Sequence, residues 1–322
     1  MGRFYDRLQF HWDAGRFVCV GLDPNIDAIT KTGYESHYSA EERIYRYLRQ
    51  IVDATSNIVC AYKPNWAFFF HESTSAADPP RTVRLRALQR IIHHIRENYP
   101  DVVLILDAKV GDIGNTNEGY VRFAFDILDC DAITVHPTMG MEAMKPFLDR
   151  ADRGVIVLAR TSNPGAGEFQ NLPIPLTLAE ADAWGFPIER LTGPTIAARQ
   201  PVTMPLYAYV ACRVAYDWNY NDNCALVVGA TAPEELAEVR RLAYYLPILI
   251  PGVGAQGGDL TKAVRNGRRH NNQGIVINAS RSVLYPKNAE GQTITSPPRD
   301  IWAAAVGEVQ RMNREIHTAL SS

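Results

Sequence analysis

The sequence has few cysteines and no run of apolar residues long enough to cross a membrane. The five cysteines are odd in number, stand far apart and include no C-x-x-C pair, which argues against a disulfide framework and against a zinc site. The chain does not begin with the apolar segment that is typical of secretion signals. We therefore expect a cytoplasmic protein whose thiols are reduced.

The chain also lacks an excess of charge of either sign. Its formal net charge is -2 and its pI is near 6.5, so it has no basic field that would favour nucleic acid or an anionic membrane as a partner. With 46% hydrophobic and 21% charged residues, a chain of 322 residues can bury a large core. We expect one domain over residues 1–322 that binds a small molecule.

Eight short runs rich in valine and isoleucine alternate with segments of helical periodicity. Continuous apolar runs of this length are typical of parallel strands that are covered on both faces. The predicted strands are residues 16–22, 57–64, 101–109, 132–135, 154–159, 224–229, 247–253 and 274–279. Eight strand–helix units predict a closed (β/α)8 barrel of the TIM type, with a doubly wound open sheet as the main alternative.

Several helix starts are indicated by a capping residue that precedes a glutamate by three positions. These pairs are Ser39 with Glu42, Asn115 with Glu118, and Thr231 with Glu234. The spacing of the barrel units is interrupted after the fifth strand, where residues 165–205 are rich in proline and glycine. We interpret 165–205 as an inserted loop that folds over the barrel mouth as a lid or packs beside it, before a helix over 206–218.

Charged residues follow the third predicted strand, in the stretch DAKVGDIGNT that begins at residue 107. Asp107 and Lys109 are two positions apart, so both are expected to point into the barrel mouth, and Asp112 follows a glycine turn. Leaving such charges unpaired near a core would cost several kcal/mol. The pattern indicates either an internal network of salt bridges or a site for a ligand and its chemistry.

A glycine-rich loop and an arginine follow the last two predicted strands. The loop is PGVGAQGGD at residues 251–259, and Arg281 comes directly after the eighth strand. In (β/α)8 barrels this region commonly binds phosphate through exposed backbone amides and a helix N-terminus. Because an arginine can hold a phosphate with two hydrogen bonds, the two features together predict a phosphate site.

The ordered set of motifs resembles the orotidine 5'-phosphate decarboxylase family, and most closely its longer bacterial-type branch. The motifs are GLDP, AYKPN, D-x-K-x-x-D, TSNPGAG and PGVGAQGGD, which follow the first, second, third, fifth and seventh predicted strands. The resemblance covers most of the chain. It implies decarboxylation of orotidine 5'-phosphate to uridine 5'-phosphate, the last step of de novo UMP synthesis, without a cofactor or a metal.

The resemblance also implies the catalytic roles. Lys109 would protonate C6 of the pyrimidine, and Asp107 would face the substrate carboxylate. Lys63 would link Asp107 to Asp23, and Asp112 would reach into the site of a neighbouring subunit. The protein would then be a homodimer with shared active sites.

The same resemblance assigns the substrate-binding residues. Asp23 would also contact the ribose hydroxyls, and Ser162 the amide edge of the pyrimidine. The phosphate would be bound by Gln256, Arg281 and the glycine loop at Gly254. Thr116, like Asp112, would act across the subunit interface.

Two other functions remain open at this point. One is a metal-dependent decarboxylase of 3-keto sugar-acid phosphates, which shares the D-x-K-x-x-D strand but usually has an acid where this chain has Lys63. The other is a non-catalytic sensor of phosphorylated ligands. His136 follows the fourth strand without a second histidine or acid at metal-ligand spacing, so we expect a core or supporting histidine.

Overall fold

The fold, in a computed structural model, is organised around parallel strands that close into a barrel. The structure describes residues 4–32, 34, 37–70, 85–184, 203–254, 256–288, 291–294 and 298–321. Within these residues the barrel strands are β1 (Val18–Leu22), β2 (Ala61–Pro64), β3 (Val103–Val110), β4 (Ala132–Val135), β5 (Gly154–Arg160), β8 (Cys224–Val228), β9 (Ile248–Ile250) and β10 (Ile275–Ala279). Their order around the barrel is β1-β10-β9-β8-β5-β4-β3-β2.

Helices cover the outside of the barrel between the strands. Their bounds are α1 (Phe4–Asp13), α2 (Ile26–Lys31), α3 (Ala40–Thr55), α4 (Leu85–Asn98), α5 (Gly114–Val121), α6 (Gly140–Leu148), α7 (Gly167–Gln170), α8 (Leu178–Ala183), α9 (Leu206–Arg213), α10 (Pro233–Leu242), α11 (Leu260–Gly267), α12 (Arg281–Leu284) and α13 (Pro298–Ser321). Helices α5 and α9 each continue into a π-helical turn, at Arg122–Ile127 and Val214–Trp218. Short 3-10 turns lie at Trp66–Phe69 and Pro164–Ala166.

All eight predicted strands form, and the closed barrel is confirmed. Most barrel strands are buried along their whole length, as expected of valine- and isoleucine-rich strands with side chains on both faces packed. The five cysteines are buried free thiols. Among the described helices, none combines the length and the hydropathy that a bilayer crossing requires. The prediction that residues 1–322 form one domain stays a prediction.

One of the three predicted helix caps is confirmed. The Ser39 hydroxyl accepts a hydrogen bond from the Glu42 amide at 3.3 Å. The Asn115 cap is wrong, because α5 begins at Gly114 without a side-chain cap. The Thr231 cap is also wrong, because α10 begins at Pro233. Proline has no backbone N–H, so this position leaves no amide that a cap would have to bind. The Thr231 hydroxyl instead donates to the carbonyl of Ser162.

The inserted segment contains two short strands that the sequence did not predict. Strands β6 (Pro173–Pro175) and β7 (Thr203–Pro205) pair antiparallel, outside the barrel. They are only three residues long and rich in proline, so they carry no alternating pattern that would indicate a strand. Residues 185–202 lie outside the described residues, and closure of 165–205 as a lid stays a prediction.

The amino-terminal helix closes against the bottom of the barrel. Phe4 of α1 is buried, and its ring lies against Gly154 at the start of β5. A Cβ atom added at Gly154 would lie only 2.5 Å from ring atoms of Phe4. Glycine is therefore required here because the ring approaches the backbone closely.

Gly154→Ala is expected to lower the free energy of unfolding by about 1–3 kcal/mol, since the added methyl overpacks the Phe4 ring. Denaturant unfolding followed by circular dichroism measures this change. The control is Gly307→Ala in the exposed face of α13, where nothing lies within 4 Å of the added Cβ. It should stabilise the helix by about 0.5–1 kcal/mol, and equal effects of the two variants would contradict the packing argument.

Candidate active site

A cavity of about 850 Å³ opens at the carboxyl ends of the barrel strands. Every barrel strand contributes to its wall at or just beyond its last residues: Asp23, Lys63, Asp107, Thr134, Ser162, Val227, Pro251 and Asn278. The volume is within the range of small-molecule sites. The closed barrel thus brings distant parts of the chain around one opening, as the sequence predicted.

The carboxylate of Asp107 holds two lysines at the base of this cavity. Its Oδ2 atom lies 2.5 Å from Nζ of Lys63, and its Oδ1 atom lies 2.6 Å from Nζ of Lys109. The Thr134 hydroxyl donates a third hydrogen bond, to Oδ1, at 2.9 Å. Lys63 and Asp107 are buried, whereas the Lys109 side chain is 44% exposed and is the member that a ligand can reach.

The backbone at Lys109 departs from a regular strand. Its φ angle is +49°, in the left-handed region, and the register between β3 and β4 shifts between Leu106 and Val110. The Lys109 amide donates to the Thr134 hydroxyl at 3.0 Å, which helps to hold this conformation. Strict alternation along β3 is therefore not what directs Lys109 toward Asp107; an irregular strand end does so.

Burial and charge act in opposite directions on the two buried groups. Burial alone would raise the pKa of Asp107, but the ammonium groups of Lys63 and Lys109 outweigh it and hold that pKa well below its usual range. Burial alone would lower the pKa of Lys63, but Asp107 and Asp23 outweigh it and raise that pKa. The pair is thus charged across the physiological pH range.

Asp23 and Ser280 present unpaired oxygen atoms beside this cluster. Oδ1 of Asp23 and Oγ of Ser280 are buried without a hydrogen-bond partner among the described residues, and both residues line the cavity. Gly21 lies against both side chains. No described hydrogen bond joins Lys63 to Asp23, so the expected link between them is electrostatic only. The two oxygens are suited to the hydroxyl groups of a ligand.

The cavity wall also contains the residues expected to bind phosphate. Gln256 and Arg281 line the cavity, as does Ser162, and Arg281 begins the short helix α12. Gly252 has a φ of +95°, and an added Cβ would lie 2.9 Å from the Gln256 side chain and 3.0 Å from Cβ of Ser162. Only glycine allows the chain to pass between these two side chains.

Gly254 is not among the cavity-lining residues. Its amide donates to the carbonyl of Gly258 at 3.2 Å, within the turn itself. The residues of this loop that line the cavity are instead Pro251, Gly252, Val253 and Gln256. The sequence could not show which glycine of the loop lines the cavity, because each glycine in PGVGAQGGD fits a phosphate-binding loop equally well.

Asp112 and Thr116 lie outside the cavity of their own chain. Oδ1 of Asp112 accepts from the Ile113 amide, and Thr116 is exposed on the first turn of α5. The Asp112 backbone is held by Asn117, whose amide side chain also bonds to the carbonyl of Ala143. Within one chain, Lys109 is therefore paired with Asp107 and not with Asp112.

The expectation of a core histidine at position 136 is wrong, and a supporting role for His136 stays a prediction. His136 is exposed at the end of β4 and lines the cavity, where burial and then the charge of Lys109 lower its pKa. The strand-end position, shared with the other cavity residues, was the signal for this placement. Among the described residues, no cluster of three or more His, Cys, Asp or Glu side chains could hold a metal ion.

Comparison with known proteins identifies the family. The model of the "Orotidine 5'-phosphate decarboxylase / HUMPS family" matches residues 16–183, just over half of the chain. The chain belongs to this family. The orotidine 5'-phosphate decarboxylase of Janthinobacterium sp. (strain Marseille) is 40% identical over 289 residues, which cover 89% of this chain and 91% of that relative.

Two further relatives of the family extend this likeness. The orotidine 5'-phosphate decarboxylase of Bordetella pertussis is 38% identical over 319 residues, 98% of each chain. The solved structure of Leishmania donovani OMP decarboxylase has a TM-score of 0.68 and 29% identity, covering 97% of this chain and 99% of that one. The family likeness therefore extends beyond the part that the family model matches.

Sequence reasoning missed several residues that the structure places in the cavity wall. Thr134 was hidden inside the predicted strand AITV, although a polar residue near a strand end is a signal for the barrel mouth. Tyr285 also lines the cavity and accepts a hydrogen bond from the Asn25 amide at 2.6 Å. Phe169 lines it from α7, within the inserted segment.

Asp107→Asn is expected to lower the free energy of unfolding at neutral pH by about 3–5 kcal/mol, because it removes the carboxylate that is hydrogen-bonded to the buried Lys63 ammonium. The wild-type advantage should be complete above the ordinary carboxyl pKa of about 3.9 and should decline as pH falls toward the lower folded-state pKa. Denaturant unfolding across this pH range measures it.

The matched control for this prediction is the double variant Asp107→Asn, Lys63→Met. Removing both charges should recover much of the stability that either single change loses. Strictly additive losses would contradict the interpretation that the two groups compensate each other's burial.

Proposed function

We propose that this protein converts orotidine 5'-phosphate to uridine 5'-phosphate and CO2. The observation that carries the proposal is the half-exposed ammonium of Lys109, held 2.6 Å from the carboxylate of Asp107 inside the cavity. Membership of the orotidine 5'-phosphate decarboxylase / HUMPS family and the curated names of the relatives support it. The reaction is the last step of UMP synthesis.

The chemistry requires a cation beside C6 of the pyrimidine. When the C6–carboxylate bond breaks, its electron pair stays on C6 and CO2 leaves, so a carbanion with little resonance stabilisation is formed. Lys109 stabilises this charge and then transfers an Nζ proton to C6, which gives uridine 5'-phosphate. The lysine recovers a proton from solvent. Asp107 and Thr134 fix the position of its ammonium group.

Repulsion between Asp107 and the substrate carboxylate makes a smaller contribution. Two like charges about 4 Å apart interact by roughly 4 kcal/mol at an effective dielectric constant of about 20. Enzymes that catalyse very slow reactions supply up to about 23 kcal/mol of transition-state stabilisation in the typical range. We therefore assign the larger share to carbanion stabilisation by Lys109 and to binding energy at the phosphate, remote from the reacting carbon.

The remaining cavity residues would position the nucleotide. Asp23 binds the ribose hydroxyls with its unpaired Oδ1 atom, and Ser162 binds the amide edge of the pyrimidine. Gln256 and Arg281 bind the phosphate, together with backbone amides at 252–253 in place of the predicted Gly254. Ser280, whose hydroxyl is also unpaired, lies beside Asp23 and is placed for the same sugar.

Lys109→Ala is expected to abolish nearly all turnover of orotidine 5'-phosphate while the circular dichroism spectrum stays native, because the proton donor is removed. The decrease in pyrimidine absorbance, followed in the presence of EDTA, measures turnover. The control is Lys262→Ala, an exposed lysine on α11, which should keep wild-type activity.

Normal turnover by Lys109→Ala would contradict the assignment of Lys109 as the proton donor. Loss of wild-type activity in EDTA would instead favour the metal-dependent decarboxylation of 3-keto sugar-acid phosphates. That alternative is disfavoured because both oxygens of Asp107 are occupied by ammonium groups. Nucleotide binding without any turnover would favour the sensor.

Arg281→Ala is expected to raise KM for orotidine 5'-phosphate by at least about tenfold, since it removes a charge-assisted bond to the phosphate. For orotidine, which lacks the phosphate, kcat/KM should be nearly unchanged. Steady-state kinetics with both substrates measures the difference. An equal loss for both would show that Arg281 does not act on the phosphate.

We infer a homodimer with shared sites as the working state. Asp112 and Thr116 lie outside their own cavity, yet they belong to the same stretch, DAKVGDIGNT, as Lys109. The surface around them exposes large apolar side chains, with Ile113 56% and Met139 46% exposed. A patch of this kind is suited to a protein partner.

We also propose the cytoplasm as the compartment of this protein, which the reduced state of the buried thiols supports.

Mixing two inactive variants tests the shared site. Lys109→Ala and Asp112→Asn should each be nearly inactive alone. After subunit exchange, hybrid dimers contain one intact site, so activity should return to roughly a quarter of the wild-type value. Full activity of Asp112→Asn alone, or no recovery on mixing with exchange verified by mass spectrometry, would contradict the proposal.

A further inference from the structure

A second cavity, of about 630 Å³, lies at the opposite face of the barrel from the candidate active site. It is bounded by the carboxyl ends of α10 and α11 and by the loops that lead into β9 and β10. Its wall contains five arginines and a histidine: Arg240, Arg241, Arg265, Arg268, Arg269 and His270. Among its described lining residues there is no aspartate or glutamate. We call it the arginine cavity.

This concentration of positive charge is unusual for a chain with a formal net charge of -2. Several exposed arginines elsewhere are paired with carboxylates; Arg311, for example, lies 2.6 Å from Glu315. In the described part of the chain, no ion pair is formed by Arg240, Arg241 or Arg269. The local field of the cavity is therefore strongly positive.

Of the arginines in this cavity, Arg240 has a structural role. Its guanidinium is buried and donates to backbone carbonyls around both helix ends, including those of Gly267 at 2.6 Å and Gly274 at 2.8 Å. Burial, and after it the charge of Arg269, lower the pKa of Arg240 to about 9. Two buried cations thus repel each other at the base of the cavity.

Arg269 has donors that the protein does not satisfy. It is 6% exposed, and its Nη1 donates to the Tyr5 hydroxyl at 2.7 Å. Its Nε and Nη2 atoms are buried without a described hydrogen-bond partner, and its guanidinium lies over the rings of Tyr5 and Trp12. Nearby negative charge would stabilise both this cation and Arg240.

The rim of the cavity is accessible to a ligand. Arg241 and Arg265 are exposed on consecutive helices, α10 and α11, and both line the cavity. The Tyr244 and His270 rings, whose centroids are 5.4 Å apart and whose planes are tilted by 39°, also line the cavity and offer aromatic surface to a ligand. Because Arg240 already binds the helix-end carbonyls, Arg241 is not needed for that purpose.

We propose that the arginine cavity binds an anion with two or more phosphoryl groups. Several guanidinium groups around one concave site match the charge and the geometry of linked phosphates. Its size is that of a small-molecule site rather than of a flat macromolecular interface. The anion is either an inorganic oligophosphate or the phosphate chain of a nucleotide. The inference does not depend on the decarboxylase activity.

Isothermal titration calorimetry of the full chain with sodium triphosphate at low salt tests this proposal. Wild-type protein should bind triphosphate saturably, and more tightly than inorganic phosphate. Arg241→Gln and, separately, Arg265→Gln should weaken binding by about tenfold, as loss of one charge-assisted contact predicts. Circular dichroism verifies the fold of each variant.

Two control variants distinguish the arginine cavity from other sources of binding. Arg314→Gln removes an exposed arginine from α13 and should change the affinity less than about twofold, as expected of a distant surface charge. Arg281→Ala removes the arginine of the candidate active site and should leave triphosphate binding at the arginine cavity intact.

The proposal is overturned by any of four results: no saturable binding, equal affinity for phosphate and triphosphate, equal losses in Arg241→Gln and Arg314→Gln, or loss confined to Arg281→Ala. Titration with ATP separates the two sources. If ATP binds more tightly than triphosphate, the ligand is a nucleotide whose base contacts Tyr244. If the two bind equally, the cavity recognises the phosphate chain alone.

Discussion

The carboxylate of Asp107 is the group on which the candidate active site depends. It lies between a buried ammonium on β2 and a half-exposed ammonium on its own strand, and it keeps both in place. Such a cluster is stable only as a unit, because each buried charge compensates the desolvation of its partner. The barrel provides this arrangement by ending neighbouring strands around one cavity. The other strand ends then remain available to a ligand, and the half-exposed ammonium of Lys109 is the member of the cluster that such a ligand can reach.

The barrel was predictable because its strands are marked by composition. Runs such as 132–135 and 224–229 are continuously apolar, and only a strand covered on both faces buries every residue of such a run. Helix starts were less predictable, since α5 begins without the side-chain cap that Asn115 suggested and α10 begins at a proline. The pairing of β6 with β7 joins residues about thirty positions apart, a distance over which local sequence patterns carry no information.

The sequence predicted which strand ends contribute to the site, but it did not predict the hydrogen bonds or the backbone conformation within the site. Six predicted residues meet in one cavity because each lies in the carboxyl half of a barrel strand or in the segment after one: Asp107, Lys63, Asp23, Ser162, Gln256 and Arg281. The sequence did not show that Lys109 takes a left-handed backbone or that Thr134 bonds both to its amide and to Asp107. Those features arise from a register shift between β3 and β4, which depends on contacts between strands. For the same reason, the sequence did not show that the arginines of α10 and α11 converge at the other face.

Exchange of the C6 hydrogen of uridine 5'-phosphate in D2O tests the central claim most directly. By microscopic reversibility, the group that protonates C6 after CO2 departs also removes that proton from the bound product. Nuclear magnetic resonance should therefore detect deuterium at C6 in the presence of the wild-type protein, and no deuterium above background with Lys109→Ala. Undiminished exchange in the Lys109→Ala variant would contradict the account, because another group would then be moving the proton.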